Sequence, residues 1–353
     1  MSTGFVGHAL AMFGRQSNAL RNSHRTRCRW ASPSSSRLWQ KVSEMLLAVV
    51  GPTATGKSDL ALELGDALGG PENVEVIGAD AMQFYRGMDI GTAKLPLDRR
   101  EGYLHHQIDV LDIDEEASVA KYQADARLDI ADVEARGKTA ILVGGSGLYV
   151  RAVLDPISFP GTDPEVRARL EAEAAALGSD ALHQRLALLD PVSAGRIDPR
   201  NTRRVIRALE VIELTGQPFS ASLPEYRYVR ETVQVGLNLP TEVLDQRIAE
   251  RTEAMFAEGL VEEVANLQKQ GLAETKTASR ATGYREVLDM LNGRIDQQEA
   301  KDAISLATRQ LARRQIKWFR RDPRIRWFDP REPNVTDQVM ALLGGLQDPV
   351  ALA

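Results

Sequence analysis

A glycine-rich loop that follows a short apolar run constrains the fold of this chain more than any other feature. Met45–Val50 consists of six apolar residues and leads directly into Gly51–Ser58, which reads GPTATGKS. This G-x-x-x-x-G-K-[ST] pattern forms a phosphate-binding loop when a buried strand precedes it and a helix follows it. Both are predicted here, because Asp59–Leu64 has the apolar spacing of a helix that faces a sheet. We therefore expect the chain to bind a diphosphate or a triphosphate.

The residues of this loop have separate expected roles. The glycines let the backbone turn so that successive N–H groups point at phosphate oxygens, and the following helix adds the positive end of its dipole. Lys57 supplies a positive charge, and the Ser58 hydroxyl is the expected ligand for Mg2+. The predicted diphosphate-binding residues are Gly51, Thr53, Ala54, Thr55, Gly56, Lys57 and Ser58.

The composition argues against a membrane protein and for a reducing compartment. No apolar run approaches the ~20 residues that a transmembrane helix requires. The single cysteine, Cys28, rules out an internal disulfide and a zinc site built from cysteines. We therefore expect a cytoplasmic protein.

Residues 1–44 differ in composition from the rest of the chain. They carry seven basic residues and one acid, together with a serine-rich run at 32–36, and this predicts disorder. Such a leader is typical of a transit peptide, but we favour a start assigned too far upstream, because Met45 opens the first strand directly. Without the leader the net charge is −11 rather than −5, so a nucleic-acid surface is expected to be local. Residues 309–326, with eight basic residues and one acid, are a candidate.

The remaining patterns predict an α/β fold, with a P-loop NTPase-like parallel sheet core and an α-helical insertion domain. Strand patterns at Val74–Gly78 and Thr139–Val143 flank a helical pattern at Val119–Arg136, which is the alternation of a doubly wound sheet. Thr232–Leu239 alternates like a strand that returns to the sheet, and Leu244–Gln270 is predicted to be one helix. The predicted domains are a basic tail at 1–44, a catalytic core at 45–155 plus 228–330, a helical insertion at 156–227 and a C-terminal tail at 331–353.

Asp80 is the only carboxylate that is well placed at the end of a predicted strand. It follows Val74–Gly78, whereas Thr139–Val143 ends in Gly144–Gly147 without an acid. Because ligands of open α/β sheets bind beyond the carboxyl ends of the strands, Asp80 is expected close to the phosphate loop. Three roles remain open from the residues alone: a ligand for Mg2+, a general base, or a turn cap.

An ordered series of motifs resembles the tRNA dimethylallyltransferase (isopentenyltransferase) family over roughly Leu46 to Phe328. The phosphate loop alone occurs in many families, but the whole series is specific. The segments that carry the resemblance are Gly51–Ser58, Asp80–Lys94, Val143–Tyr149, Arg207–Val211, Gly259–Val264, Ala281–Glu286 and Ala307–Gln315.

The resemblance implies a specific reaction and partners. It implies transfer of a prenyl group from dimethylallyl diphosphate to N6 of adenosine 37, beside the anticodon of tRNA. The phosphate loop would then hold the diphosphate of the donor, with Mg2+, rather than ATP. Asp80 would take the N6 proton, and Ser146, where the family usually has threonine, would donate to the donor's phosphate. We expect the enzyme to act as a monomer.

The resemblance also implies a tRNA-binding surface, and the helical insertion is part of it. An arginine on a helix can equally be a solvated residue without a partner. The implied contacts are Asp80, Ala81, Met82, Gln83, Ser146, Arg167, Arg203, Arg204, Val205, Ile206, Arg207, Arg280, Gly283, Tyr284, Arg285, Arg313, Arg314, Lys317 and Arg320.

One departure from the family concerns the diphosphate. Thr241 stands where many members have an arginine, ahead of Leu244–Arg247. If that arginine helps to hold the diphosphate, Arg247 or another residue has to replace it here.

Two other classes of function are open. A P-loop small-molecule kinase would use ATP with Mg2+ on Asp80 and the helical insertion as a lid. A non-catalytic RNA-binding protein would retain the loop without using it, but Gly51, Gly56, Lys57 and Ser58 are all intact, which argues against this alternative.

Overall fold

A computed structural model describes residues 45–222 and 226–345 of the chain. The predicted tail at 1–44, including Cys28, lies outside the described residues, as do residues 346–353 of the predicted C-terminal tail.

Six parallel strands form one sheet at the centre of the fold. The strand order is β3-β2-β4-β1-β5-β6, and every pair of neighbours is parallel. All five residues of the central strand β1 are buried, as expected for a parallel strand covered on both faces. The strands are β1 Leu46–Val50, β2 Val74–Gly78, β3 His105–His106, β4 Thr139–Gly144, β5 Thr232–Leu237 and β6 Arg326–Phe328.

Helices connect the strands and cover the sheet. They are α1 Lys57–Ala67, α2 Val119–Ala135, α3 Gly147–Leu154, α4 Pro164–Leu177, α5 Ser179–Leu189, α6 Pro191–Ala194, α7 Thr202–Thr215, α8 Thr241–Ala257, α9 Leu260–Lys269, α10 Tyr284–Leu291, α11 Gln297–Phe319 and α12 Val335–Gly345. Leu46, Ala48 and Val50 pack in one core with α2 and α3. Leu47 and Val49 alternate with them and so face the other side, where α1 contacts the sheet. The predicted α/β core is confirmed.

Helices α4 to α7 have a small hydrophobic core of their own. Leu170, Leu182, Leu186, Val205 and Leu209 meet there and are almost fully buried. The start of α4 is fixed by the Asp163 carboxylate, which accepts hydrogen bonds from the N–H groups of Glu165 and Val166. These helices therefore have a stable arrangement of apolar contacts without using the sheet.

Some helix predictions are wrong in their extent. The predicted single helix Leu244–Gln270 is two helices, α8 and α9, because the chain turns at Gly259, which has a positive φ of 103°. Helices α3 and α12 were not predicted. Within the described residues, no helix has both the length and the apolar character to cross a membrane.

Candidate active site

The phosphate loop depends on two glycines with left-handed or otherwise unusual backbone angles. Gly51 has a φ of 141°, and a Cβ on it would lie only 2.5 Å from the carbonyl oxygen of Leu237 at the end of β5. Gly56 has a φ of 87° and is the residue from which α1 begins. Side chains are disfavoured at both positions, so the loop can follow its path only with glycine there.

Lys57 folds back over the loop. Its ammonium donates a 2.7 Å hydrogen bond to the carbonyl oxygen of Pro52, and the Thr55 hydroxyl donates to the same oxygen at 2.8 Å. Burial lowers the pKa of Lys57 to about 8; the nearby Asp80 carboxylate opposes this shift and the Arg251 guanidinium adds to it. A diphosphate bound in the loop would supply negative charge and so raise the pKa of Lys57.

Asp80 lies at the carboxyl end of β2, within electrostatic range of the loop. Burial raises the pKa of its carboxyl group, while the hydrogen bond from the Met82 N–H and the charges of Lys57 and Arg251 oppose that rise. The Met82 N–H donates to one carboxylate oxygen at 3.1 Å. A carboxylate with a raised pKa is a stronger proton acceptor, which suits a general base.

Ser146 follows β4 and is joined to the Asp80 turn. Its hydroxyl accepts a 3.3 Å hydrogen bond from the Ala81 N–H, and its own N–H donates to the Ala79 carbonyl at 3.3 Å. Gly144 permits this approach, because a Cβ there would overlap the Ala79 backbone. The two predicted catalytic residues, Asp80 and Ser146, therefore lie in loops that hydrogen bonds join to each other.

A cavity of about 840 Å³ opens beside these groups. The phosphate loop and α1 line one side, and Asp80, Gln83 and residues 143–145 line another. A third side, which we call the cavity wall, consists of residues 89–97, most of which line the space. The cavity therefore joins an anion-binding loop and a buried carboxylate in one space large enough for a substrate.

Arg251 on α8 is a site residue that the sequence did not reveal. It lines the cavity and donates a 3.2 Å hydrogen bond to the Thr53 hydroxyl of the phosphate loop. Thr241 lies instead at a second cavity of about 400 Å³. Arg251 thus supplies a cation beside the loop, which Thr241 does not. Residue type and position on the helix do not single out Arg251 in the sequence, because Arg247 lies one helical turn earlier on α8 and yet does not line the cavity.

Glu263 on α9 anchors the cavity wall. Its carboxylate accepts hydrogen bonds from the N–H groups of Asp89, Ile90 and Gly91 at 3.0, 2.8 and 3.2 Å. The Tyr284 hydroxyl donates to the same carboxylate at 2.6 Å. One side chain therefore satisfies three consecutive backbone donors, which are costly to leave unpaired.

Lys94 and Gln83 fix the same wall from the other side. The Lys94 side chain is 2% exposed and donates to Asp89 at 2.7 Å and to Asp109 at 2.5 Å. The Gln83 amide donates to the carbonyls of Thr92 and Ala93 at 3.0 and 3.3 Å. The wall is thus held by side-chain hydrogen bonds rather than by regular secondary structure.

The predicted tRNA contacts fall into two groups. Ala81 and Met82 follow Asp80 and are partly buried, and Gln83 lines the cavity. Arg313, Lys317 and Arg320 line the second cavity, although Arg313 also pairs with Asp245 at 2.7 Å. The predicted contacts that are exposed are Arg203, Arg204, Arg280, Arg285, Arg313, Arg314, Lys317 and Arg320.

Other residues that were predicted to contact tRNA are buried inside the protein. Val205, Ile206 and Tyr284 have buried side chains, and Gly283 is also buried, because these residues belong to the hydrophobic core or its margin. These side chains form part of the interior in the described conformation, and their contact with tRNA stays a prediction.

Arg167 and Arg207 have an internal partner. Both bind the fully buried Glu210 carboxylate, at 2.6 and 2.8 Å. Burial would raise the pKa of Glu210, but the two arginines outweigh it and the pKa is lowered. Arg167 thereby joins α4 to α7, whereas Arg207 lies on α7 with Glu210 and also donates to the carbonyl oxygens of Pro160 and Gly161.

The described residues contain no cluster of three or more histidine, cysteine, aspartate or glutamate side chains that could hold a metal by itself. Ser58 is exposed at the start of α1 and lines the cavity that Asp80 also lines. This donor set suits Mg2+, which commonly takes few protein ligands and completes its shell with phosphate oxygens and water.

Comparisons with known proteins agree on one family. A family model described as IPP transferase matches residues 83–322. The chain is 58% identical to the tRNA dimethylallyltransferase of Kineococcus radiotolerans over 287 residues, which is 80% of this chain and 90% of that protein.

Two solved structures share the fold. The tRNA isopentenylpyrophosphate transferase of Bacillus halodurans is 38% identical, with a TM-score of 0.61 and coverage of 86% of this chain and 96% of the other. A eukaryotic dimethylallyltransferase described as acting on tRNA is 26% identical, with a TM-score of 0.73 and coverage of 86% and 79%.

The lowered pKa of Lys57 predicts how diphosphate binding depends on pH. Below about pH 8 the ammonium is charged in the free protein, and above it the charge is progressively lost. Binding favours the charged form, so the affinity for inorganic diphosphate should fall by up to about tenfold per pH unit above pH 8. Calorimetric titration between about pH 7 and about pH 9.5 measures this.

The Lys57→Arg variant is the control, because arginine keeps its charge over this range and the titration of diphosphate itself is common to both proteins. Equal pH profiles for the two proteins would contradict the prediction.

The hydrogen bonds that Glu263 accepts from the cavity wall predict that this side chain stabilises the wall. Glu263→Gln replaces one acceptor oxygen by an NH2 group that faces backbone donors, so the free energy of unfolding should fall by about 1–3 kcal/mol. Hydrogen exchange at the amides of residues 89–91 should accelerate. The matched control is Glu262→Gln, because Glu262 is exposed on the same turn of α9. If both variants exchange like the unsubstituted protein, Glu263 does not anchor the wall.

Proposed function

The chain belongs to the tRNA dimethylallyltransferase (IPP transferase) family, a family of transferases that act on tRNA, and we propose that it transfers the dimethylallyl group of dimethylallyl diphosphate to N6 of adenosine 37 in tRNA. The products are N6-(dimethylallyl)adenosine and diphosphate. The observation that carries this proposal is the single cavity shared by the phosphate loop, Arg251 and Asp80.

The donor's diphosphate is assigned to the phosphate loop. Backbone N–H groups of the loop and the N-terminus of α1 would receive its oxygens, and Lys57 and Arg251 would balance its charge. Negative charge accumulates on the diphosphate as it leaves, so these cations stabilise the transition state more than the ground state. Mg2+, when bound by the Ser58 hydroxyl and the diphosphate, would supply further charge neutralisation at this end of the cavity.

Asp80 is assigned as the general base. The adenine N6 amine is a weak nucleophile, because its lone pair is delocalised into the ring. A bond forms between N6 and C1 of the dimethylallyl group while the bond from C1 to the diphosphate oxygen breaks, and the N6 proton passes to the Asp80 carboxylate. The Ser146 hydroxyl would donate a hydrogen bond to a phosphate oxygen of the donor, and Ser146 already contacts the Asp80 turn through the Ala81 N–H.

The tRNA is assigned to the exposed basic residues around the cavity. The adenine has to leave its stack to reach Asp80, as in other enzymes that modify a base. The exposed arginines and lysine of α7, α11 and residues 280–285 would bind the phosphates and position the anticodon loop. We propose that the enzyme acts on tRNA in the cytoplasm as a monomer.

The kinase alternative is not favoured. The family relationship supports prenyl transfer to tRNA. Furthermore, β4 ends at Gly144 and is followed by Gly145, Ser146 and Gly147, which offer no second carboxylate for the Mg2+ of ATP.

A labelled-donor assay tests the proposal. Purified protein with unmodified tRNA, Mg2+ and radiolabelled dimethylallyl diphosphate should incorporate label into tRNA without ATP, and Asp80→Asn should reduce the rate by about 10²–10⁴-fold while binding of tRNA changes only a few-fold. The matched control is Asp98→Asn, because Asp98 is exposed and does not line the cavity.

Two results would contradict the proposal. If ADP forms in a parallel reaction with ATP and no label enters the tRNA, the loop serves a nucleotide. If the Asp80→Asn enzyme retains full activity, Asp80 is not the base.

The basic residues of α11 predict a salt dependence. Replacing Arg313, Arg314 and Lys317 together by glutamine should weaken tRNA binding, and the slope of log K against log salt should become shallower by about 0.7–0.9 for each tRNA phosphate that is no longer neutralised. Filter binding at several salt concentrations measures both quantities. Lys301→Gln is the control, because Lys301 lies on α11 about 18 Å or more from these residues and pairs with Glu253. An unchanged slope in the triple variant would mean that these three residues face solvent and do not contact tRNA phosphates.

A further inference from the structure

Gln315 on α11 joins two loops that are far apart in the sequence. Its side-chain oxygen accepts a 2.9 Å hydrogen bond from the N–H of Thr53 in the phosphate loop. Its side-chain NH2 group donates a 3.0 Å hydrogen bond to the carbonyl oxygen of Gly145, the residue before Ser146. We propose that Gln315 is a positioning residue that sets the distance between the diphosphate and the base, an inference that rests on the proposed function.

The chemistry of the two partners matches a primary amide. Pro52 has no N–H, so Thr53 presents the first backbone donor of the loop after that of Gly51. Gly145 presents a carbonyl, which can only accept. Only a side chain that accepts at one atom and donates at the other satisfies both, which also fixes the orientation of the amide. A glutamate could accept from Thr53 but could not donate to Gly145.

Steric contacts show how closely α11 sits against the loop after β4. A Cβ on Gly145 would lie 2.7 Å from the Gln315 amide nitrogen, and a Cβ on Gly147 would overlap the indole of Trp318. Gln315 and Trp318 are three residues apart and therefore share a face of the helix. Glycine at both positions is thus explained by the approach of α11.

Hydrogen bonds, together with the peptide bond between Gly145 and Ser146, connect the phosphate loop to the turn that carries Asp80. The Thr53 N–H leads through Gln315 to the Gly145 carbonyl, and the adjacent Ser146 hydroxyl accepts from the Ala81 N–H, next to Asp80. The diphosphate is assigned to one end of this connection and the proton acceptor to the other. An error of about 1 Å in the position of reacting groups can cost about 10²-fold in rate.

The amide should therefore affect the chemical step more than donor binding. The other loop N–H groups, Lys57 and Arg251 remain available to a diphosphate when Gln315 is replaced. We expect Gln315→Met, which keeps the length of the side chain without its hydrogen bonds, to lower kcat about 30- to 100-fold. The KM for dimethylallyl diphosphate and the affinity for inorganic diphosphate should change less than about threefold.

The matched control is Gln310→Met, because Gln310 is exposed on the same helix and should leave the kinetics unchanged. Gln315→Asn provides a second variant, since it keeps the amide but is one methylene too short to reach both loops. It should lower kcat as Gln315→Met does. Hydrogen exchange of the Thr53 amide, which should accelerate at least about tenfold in both variants, gives a readout without turnover.

The outcomes separate this inference from the proposed function. If the unsubstituted protein transfers no label to tRNA, the proposed function fails, and the exchange of Thr53 still decides whether Gln315 joins the loops. If Gln315→Met keeps its kcat, or loses only affinity for diphosphate, Gln315 does not position the reacting groups and the inference is wrong. Unchanged exchange at Thr53 would likewise overturn it.

Discussion

The close approach of backbone segments at the carboxyl edge of the sheet is the constraint on which the rest of the site depends. Gly51 lies against the end of β5, and Gly144 lies against the residue that follows β2. A side chain at either position would separate neighbouring strand ends. Because these glycines permit contact, the loops after β1, β2 and β4 meet and bring Lys57, Asp80 and Ser146 together.

The rest of the cavity is held by polar side chains from distant parts of the chain. Glu263 accepts hydrogen bonds from three N–H groups of the cavity wall, and Lys94 within the wall donates to Tyr85, Asp89 and Asp109. Gln315 joins two loops. A buried polar network of this kind is specific when every group has a partner and costly when one is removed. The wall and the loops have little regular secondary structure, so these hydrogen bonds determine their conformation.

Local sequence patterns were sufficient to predict part of this arrangement. The phosphate loop has its own motif, and the position of Asp80 followed from a strand end and the rule for parallel sheets. Arg251, Glu263 and Gln315 act through contacts between distant segments. Glu263 and Gln315 lie in two of the segments that carry the family resemblance, but the local pattern does not indicate which atoms they contact. Conversely, Val205, Ile206 and Tyr284 adjoin exposed basic residues in the sequence but point into the core. Neighbours on a helix face different directions, so a segment that resembles a binding motif also contains buried residues.

The electrostatics of the cavity connect donor binding to proton transfer under the proposed function. Burial lowers the pKa of Lys57 and of Arg251 and raises that of Asp80, so each group is shifted towards its neutral form in the free protein. A bound diphosphate adds negative charge, which raises the pKa of both Lys57 and Asp80. Lys57 then stays charged to higher pH than in the free protein, and Asp80 becomes a stronger base. The Met82 N–H and the two cations oppose the rise in the pKa of Asp80 that burial causes, whereas the negative charge that the leaving diphosphate gains would favour transfer of the N6 proton to the carboxylate.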